Sequence, residues 1–255
     1  AMKKVIVMVA NKRHVFISLI VLIILAGILF WLFANRYLQI NTPSEKDFPI
    51  RGVDVSSYQG KIEWDTLSEQ NIYFAFIKAT EGSSFVDKYY QSNREQALKT
   101  NLRIGFYHFF SYDSAGESQA NHFIKTVEAY EGMLPPVVDV EFYGDYFHSP
   151  KGKDEVLPEL QRMLEILEAH YGVEPIIYAT GKSYNLYLSG CLPEYDIWIR
   201  DVYFKPNLSD GRKWVFWQYS DRKMLPGYQG KEKYIDMNVF HGSKDDFYIY
   251  KLLEH

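Results

Sequence analysis

The chain has 255 residues, of which 47% are hydrophobic and 17% aromatic, and its formal net charge is −4. That is ample material for one large core or two smaller ones. Residues 1–40 hold five basic side chains (Lys3, Lys4, Lys12, Arg13 and Arg36) and no acid, which leaves −9 on the remainder. A body this acidic does not suit nucleic acid as a partner. Cys191 is the only cysteine, so no intrachain disulfide can form.

The first predicted element is a membrane span. Val15 to Phe33 carries no charged residue, and Lys12 and Arg13 stand just before it. At roughly 1.5 Å per residue this length nearly crosses a hydrocarbon core of about 30 Å. The flanking cations place the N-terminus in the cytoplasm, and Trp31 and Tyr37 suit the far interface. The rival is a cleaved signal peptide, but such apolar regions usually run about 7–15 residues, and no clear small-x-small site follows. The reading is therefore a basic cytoplasmic segment (1–14), an uncleaved transmembrane anchor (15–33), a polar linker with two prolines (34–50) and a body (51–255). The closing "LEH" reads as a cloning remnant.

The body is punctuated by eight short apolar runs: 51–56, 73–80, 103–110, 136–142, 175–180, 196–202, 214–220 and 234–240. Helix-like stretches lie between the early ones, at 91–100, 114–130 and 156–171. The last is the clearest, with Leu157, Leu160, Leu164 and Leu167 at helical spacing. Strands alternating with helices argue for a parallel sheet. Eight such strands suggest a closed α/β barrel, irregular in its last third, where helices thin out. The expected fold is a TIM-like barrel preceded by one transmembrane helix.

Two acids interrupt the fourth run, "PPVVDVEFYG". Buried strands avoid acids unless something compensates. Asp139 and Glu141 are two apart, so they share a face, while Val138, Val140 and Phe142 take the other. Their place late in the strand is where barrels put active sites. Asp54 in the first run and Asp236 in the last have similar apolar neighbours, and these two strands become adjacent when a barrel closes. Four carboxylates can thus converge on one mouth. Such a group either binds a hard cation or hydrolyses glycosides, one acid protonating the leaving oxygen and another stabilising positive charge. The aromatics Tyr58, Tyr107, Phe109, Tyr178, Trp198, Trp217 and Tyr219 lie in or just after strands, where they either line a carbohydrate groove or fill the core. Lys78 is either an inward cation for the acids or half of a remote structural pair. His108 fits a hydrogen-bonded core position better than a catalytic one.

The motifs "RGVDVSSYQGKIEW", "FAFIKATEG", "GFYHFF", "PPVVDVE", "WQYS" and "IDMN" occur in the order found in glycoside hydrolase family 25, the Chalaropsis-type lysozymes, which the chain resembles from residue 51 to about 242. The resemblance implies a (β/α)5β3 barrel and an N-acetylmuramidase that cuts the β-1,4 bond between N-acetylmuramic acid and N-acetylglucosamine in peptidoglycan. It implies Glu141 as general acid and Asp139 as the partner that steadies the substrate's N-acetyl group. Asp54 and Asp236 match the acids of the first and last strands. Tyr58, Tyr107, Tyr178, Trp198, Trp217 and Gln218 are the expected substrate-binding residues. No cofactor and no metal are expected, and the protein is expected to act as a monomer with peptidoglycan glycan strands as its partner. It would be anchored in the membrane with its catalytic domain outside the cytoplasm. A hydrolase of another N-acetylated glycan such as chitin, or an inactive wall-binding barrel, are the alternatives. Two departures stand out. Arg200 and Asp201 follow "WI", where the family often reads Ala and then an aromatic, and the segment "YGDYFHSPKGKDE" is longer than usual.

Overall fold

A computed structural model describes residues 2–35, 37–38 and 41–252, with backbone alone at 2–13. Arg36 and the closing residues 253–255 lie outside the described residues. The chain divides into two units, 1–40 and 41–255. The first is built on helix α1 (Met2–Ala34). Its stretch His14–Ala34 has 21 residues, a mean hydropathy of 3.1 and no buried residue, so it is long and apolar enough to cross a membrane.

The second unit is a closed barrel. Its strands are β1 (Arg51–Val55), β2 (Phe74–Glu81), the two-residue β3 (Phe85–Val86), β4 (Arg103–Phe109), β5 (Val137–Val140), β6 (Ile176–Thr180), β7 (Asp196–Arg200), β8 (Phe216–Lys223) and β9 (Ile235–Phe240). The order β1-β9-β8-β7-β6-β5-β4-β2 closes on itself through β1–β2, and β3 is only a hairpin flap on the end of β2. Helices α2 (Trp64–Ser68), α3 (Tyr90–Ala97), α4 (Gly116–Thr126) and α5 (Lys153–Tyr171) fill the first four crossovers. The helical stretch from Gly181 to Leu188 fills the fifth, and the short α6 (Lys244–Ile249) follows the barrel. This is the (β/α)5β3 plan. One expectation is corrected: the last strand is not parallel. β9 runs antiparallel to both β8 and β1. Residues 224–234 hold no helix that could carry the chain back across the sheet, so it returns as a hairpin.

Two apolar layers follow from side-chain alternation. The outer one joins sheet to helices. There Val138, Val140 and Phe142 meet Leu160, Leu164 and Leu167 of α5, with Leu157 partly buried beside them. The inner one fills the barrel with Phe74, Phe76, Val137, Ile176, Tyr178, Trp198 and Phe216. The Phe76 and Trp198 rings stack at 4.6 Å, and Phe74 meets Phe216 at 5.2 Å. Glycine makes the room: a Cβ at Gly52 would stand 2.4 Å from the Phe74 ring, and one at Gly105 2.6 Å from Phe76. The lower barrel is therefore a packed core, and only its C-terminal mouth can hold chemistry.

Candidate active site

The inward positions of the strands turn from apolar to polar near the mouth. Asp54 follows Gly52, Lys78 follows Phe76, Tyr107 follows Gly105, and Asp139 follows Val137. Because β9 is reversed, its inward residues reach the mouth early in the strand, and Asp236 pairs directly with Asp54. A hydrogen-bonded floor lies beneath. Trp198 Nε1 donates to Asn238 Oδ1 at 2.8 Å, and Asn238 Nδ2 donates to Asp54 Oδ2 at 2.7 Å. Gln218 Nε2 donates to the same oxygen at 2.9 Å, and the Tyr178 hydroxyl donates to Gln218 Oε1 at 3.0 Å. Four strands thereby fix one carboxylate.

The acids share an electrostatic signature. Burial pushes Asp54 up to about 6, against the pull of the Asn238 and Gln218 donors. Burial and then Glu141 hold Asp139 well above the usual carboxylate range. Burial raises Glu141, while Arg200 and Lys78 oppose it. Asp236 is raised well above its ordinary value by burial and then by Asp54. Asp139 Oδ1 is buried and has no hydrogen-bond partner. A carboxylate oxygen in that state expects a donor from outside the protein. Two cations are held close by. Lys78 Nζ bonds Glu81 Oε2 at 2.6 Å and sits 4.7 Å from the centre of the Phe109 ring. Arg200 Nη2 donates to Asp221 Oδ2 at 2.7 Å.

The structure brings Asp54, Asp139, Glu141, Asp236, Tyr107, Tyr178 and Gln218 to this one mouth. Tyr58 stands on the loop after β1, 67% exposed, at the rim. Trp198 lies on the floor with its N–H already taken by Asn238, and it supports the mouth rather than walling a groove. Trp217 does not face the mouth at all: it points outward, packs against Trp214 and Phe48, and donates to the Asp201 carbonyl at 2.8 Å. Tyr219 shares that outer layer. The parity of β8 decides this, since Gln218 faces in and its neighbours must face out. His108 is also outward, fully buried, 2.7 Å from Thr80 Oγ1 and 3.0 Å from Gln119 Oε1. Burial drives its pKa down to about 3, so it is a neutral core residue. The sequence reading missed Asn238, Glu81 and Asp221. Asn238 was findable, because it follows Asp236 by two on the same face. Among the described residues no group of three or more His, Cys, Asp or Glu side chains is arranged to hold a metal ion.

The chain matches the model of glycosyl hydrolases family 25 over residues 53–228, which contains Asp54, Asp139 and Glu141 and stops short of Asp236. It is 54% identical to a family 25 glycosyl hydrolase from Bacillus anthracis of known structure, with a TM-score of 0.79 over 83% of this chain and 97% of that one. The bacterial lysozyme from Streptomyces coelicolor superimposes with a TM-score of 0.70 at 26% identity, covering 78% of this chain and 95% of the other. Lysozyme M1 of Streptomyces globisporus is 28% identical over 210 residues, 76% of this chain and 68% of its own.

Proposed function

The chain belongs to glycosyl hydrolases family 25, and from that premise we propose how its mouth residues divide the work of a peptidoglycan muramidase. The enzyme hydrolyses the β-1,4 bond between N-acetylmuramic acid and N-acetylglucosamine. The observation that carries the division of labour is the bare oxygen of Asp139, buried two residues before Glu141. The acetamide N–H of a bound sugar is the donor that this oxygen lacks. Once it donates, Asp139 is held as the anion, and the proton that burial has kept on the pair stays with Glu141. Glu141 then protonates the departing glycosidic oxygen. The aligned acetamide presents its carbonyl oxygen to the anomeric carbon, and Asp139 offsets the positive charge that develops on it. Asp54 and Asp236 line the same cavity and hold sugar hydroxyls, with Tyr107, Tyr178 and Gln218 beside them. Tyr58 at the rim offers a ring for stacking.

The protein acts on the cell wall, outside the cytoplasm. We further propose that helix α1 remains as a single-pass anchor with its N-terminus inside, because the apolar stretch is longer than a signal peptide needs and basic residues precede it. Digestion of purified peptidoglycan, followed by identification of the new reducing-end sugar, tests the activity. Muramic acid at that end is expected. Reducing N-acetylglucosamine released from chitin oligomers would point to the other glycan, and no product from either would leave a binding protein.

A further inference from the structure

Arg200 stands on the same rung of the barrel as Glu141. Val140 pairs with Ala179 across β5 and β6, and Thr180 pairs with Arg200 across β6 and β7. The residue after Val140 is therefore level with Arg200. Arg200 also follows Trp198 by two, so its side chain leaves β7 on the inward face, one step nearer the mouth than the indole. Asp221, on the next strand, grips it: Nη2 to Oδ2 is 2.7 Å, with the two side chains 30% and 19% exposed. An arginine is costly to hold in so confined a place unless it is paired.

We propose that Arg200, oriented by Asp221, is a positioning residue for the reaction: a standing cation that weakens the hold of Glu141 on its proton and so sets the upper pH limit of this enzyme. The inference takes Glu141 as the general acid and thus rests on the function proposed above. The surroundings of Glu141 are predominantly acidic side chains. Asp139 on its own strand, Asp54 on β1 and Asp236 on β9 face it, with Glu81 at the end of β2 and Asp221 on β8. Tyr107 and Tyr178, from β4 and β6, and Tyr112, whose hydroxyl donates to the Glu141 carbonyl at 3.1 Å, are neutral hydroxyls held protonated by burial. Against these stand two cations, and they are not equivalent. Lys78 is committed to Glu81 at 2.6 Å on the β2 side. Arg200 comes from the opposite side of the mouth, and it opposes the rise at Glu141, Asp54 and Asp236 alike. A cation shared among three acids buffers the site against the repulsion that their joint ionisation would bring.

A purely structural role for the pair would be the stitching of β7 to β8, and the test must separate the two. The test titrates the Glu141 carboxyl by NMR in the full chain, kept in detergent and labelled with 13C at glutamate carboxyls, the signal being assigned by its loss in Glu141→Gln. Arg200→Gln, with Arg200→Met as a second neutral variant in case the first fails to fold, should move the Glu141 midpoint up by about half a unit to one unit. The alkaline limb of kcat/KM on peptidoglycan should move with it. Arg200→Lys, which keeps the charge, should leave both near wild type. A midpoint that stays put or falls in the neutral variants overturns the proposal, as does activity lost equally at every pH. The titration needs no turnover, so an inactive wild type would refute the muramidase reading without deciding this one.

Discussion

Asp54 and Asp236 are directly opposed residues of the antiparallel first and last strands, β1 and β9. Like charges directly opposed across a sheet are unfavourable, and burial adds to the cost, so both carboxyls hold protons more tightly than usual. The sign of the consequence can be worked out. Asp54 is raised from 3.8 to about 6, so between those values the folded chain binds more protons than the unfolded one. Stability is then greatest at the acid end of that window and falls as pH rises through it, by at most about 3 kcal/mol for this one group. Asp139, Glu141 and Asp236 are shifted in the same direction and add to the fall. Asp113, Asp210 and Asp246 are held low, and their opposite effect is confined to pH below about 4, whereas His108, held down to about 3 by burial, opposes the fall up to its ordinary value of 6.5. Asp54→Asn, whose carbonyl oxygen can still accept from Asn238 and Gln218, isolates the contribution of Asp54 from that of His108. The stability of the wild type minus that of the variant, from denaturant unfolding followed by tryptophan fluorescence, should fall as pH rises from about 4 to about 6. A difference that stays level or climbs across this range would refute the account.

Glu141→Gln keeps the shape of the side chain and removes its proton. Turnover should drop by at least the ~10²–10⁴-fold typical of a lost general acid, with binding of glycan and melting temperature close to wild type. Retention of more than about a tenth of the turnover, under ~1.4 kcal/mol in the barrier, would move the role to Asp139, Asp54 or Asp236.

Most of this fold was legible because alternation is strict in strands. Each of the eight runs became a strand, with ends within two residues except that β8 continues three residues past its run, and two acids inside an apolar run announced the mouth. The misreadings came from the same rule applied too loosely. Trp217 is one residue from Gln218, so only one of them can face inward, and the hydrogen bond of Gln218 to Asp54 decides which. The direction of β9 was not readable from its own residues, since the missing crossover belongs to the loop before it. The partners of Lys78 and Arg200 depend on where flexible side chains turn at the mouth, to Glu81 on the same strand and to Asp221 on the next, and no sequence period encodes them.

The glycines of the inner barrel give a test of the packing. Gly105→Ala would bring a methyl to 2.6 Å from Phe76 and 2.9 Å from Leu134, both buried. Overpacking of this kind costs about 1–3 kcal/mol. Phe76 stacks on Trp198, whose N–H anchors Asn238 and, through it, Asp54, so activity should fall along with the melting temperature. Gly132→Ala, with nothing within 4 Å of the added carbon, controls for the loss of a glycine as such, although its φ of 80° adds some local strain. Equal effects from the two would remove the packing argument.

If α1 stays in the bilayer, protease added to cells with opened outer layers should digest the body and leave a small membrane-bound N-terminal fragment. Mature protein beginning near Asn35 in a soluble fraction would show that the segment is cleaved.

The last expectation concerns the stereochemistry of cleavage. Residues i and i+2 on one face of a strand have Cβ atoms on the order of 6–7 Å apart, and this spacing alone does not separate retaining from inverting enzymes. The state of Asp139 is more informative. Its Oδ1 is buried and unbonded, and it lies next to the acid rather than across the mouth from it. An acid so placed can hold an acetamide N–H but has little room to activate water on the far face of the ring. The carbonyl oxygen of the acetamide is then the nearest nucleophile. It bonds to the anomeric carbon as the glycosidic bond breaks and the leaving oxygen takes the Glu141 proton. Water, losing a proton to the Glu141 carboxylate, next opens the ring so formed from the face that the leaving group vacated. Two inversions give net retention, so proton NMR of early digestion should show the β-anomer of the new reducing end first, with the α-anomer growing in only by mutarotation. An α-anomer released first would mean direct attack by water, and Asp139 would have to be reassigned as the base that activates it.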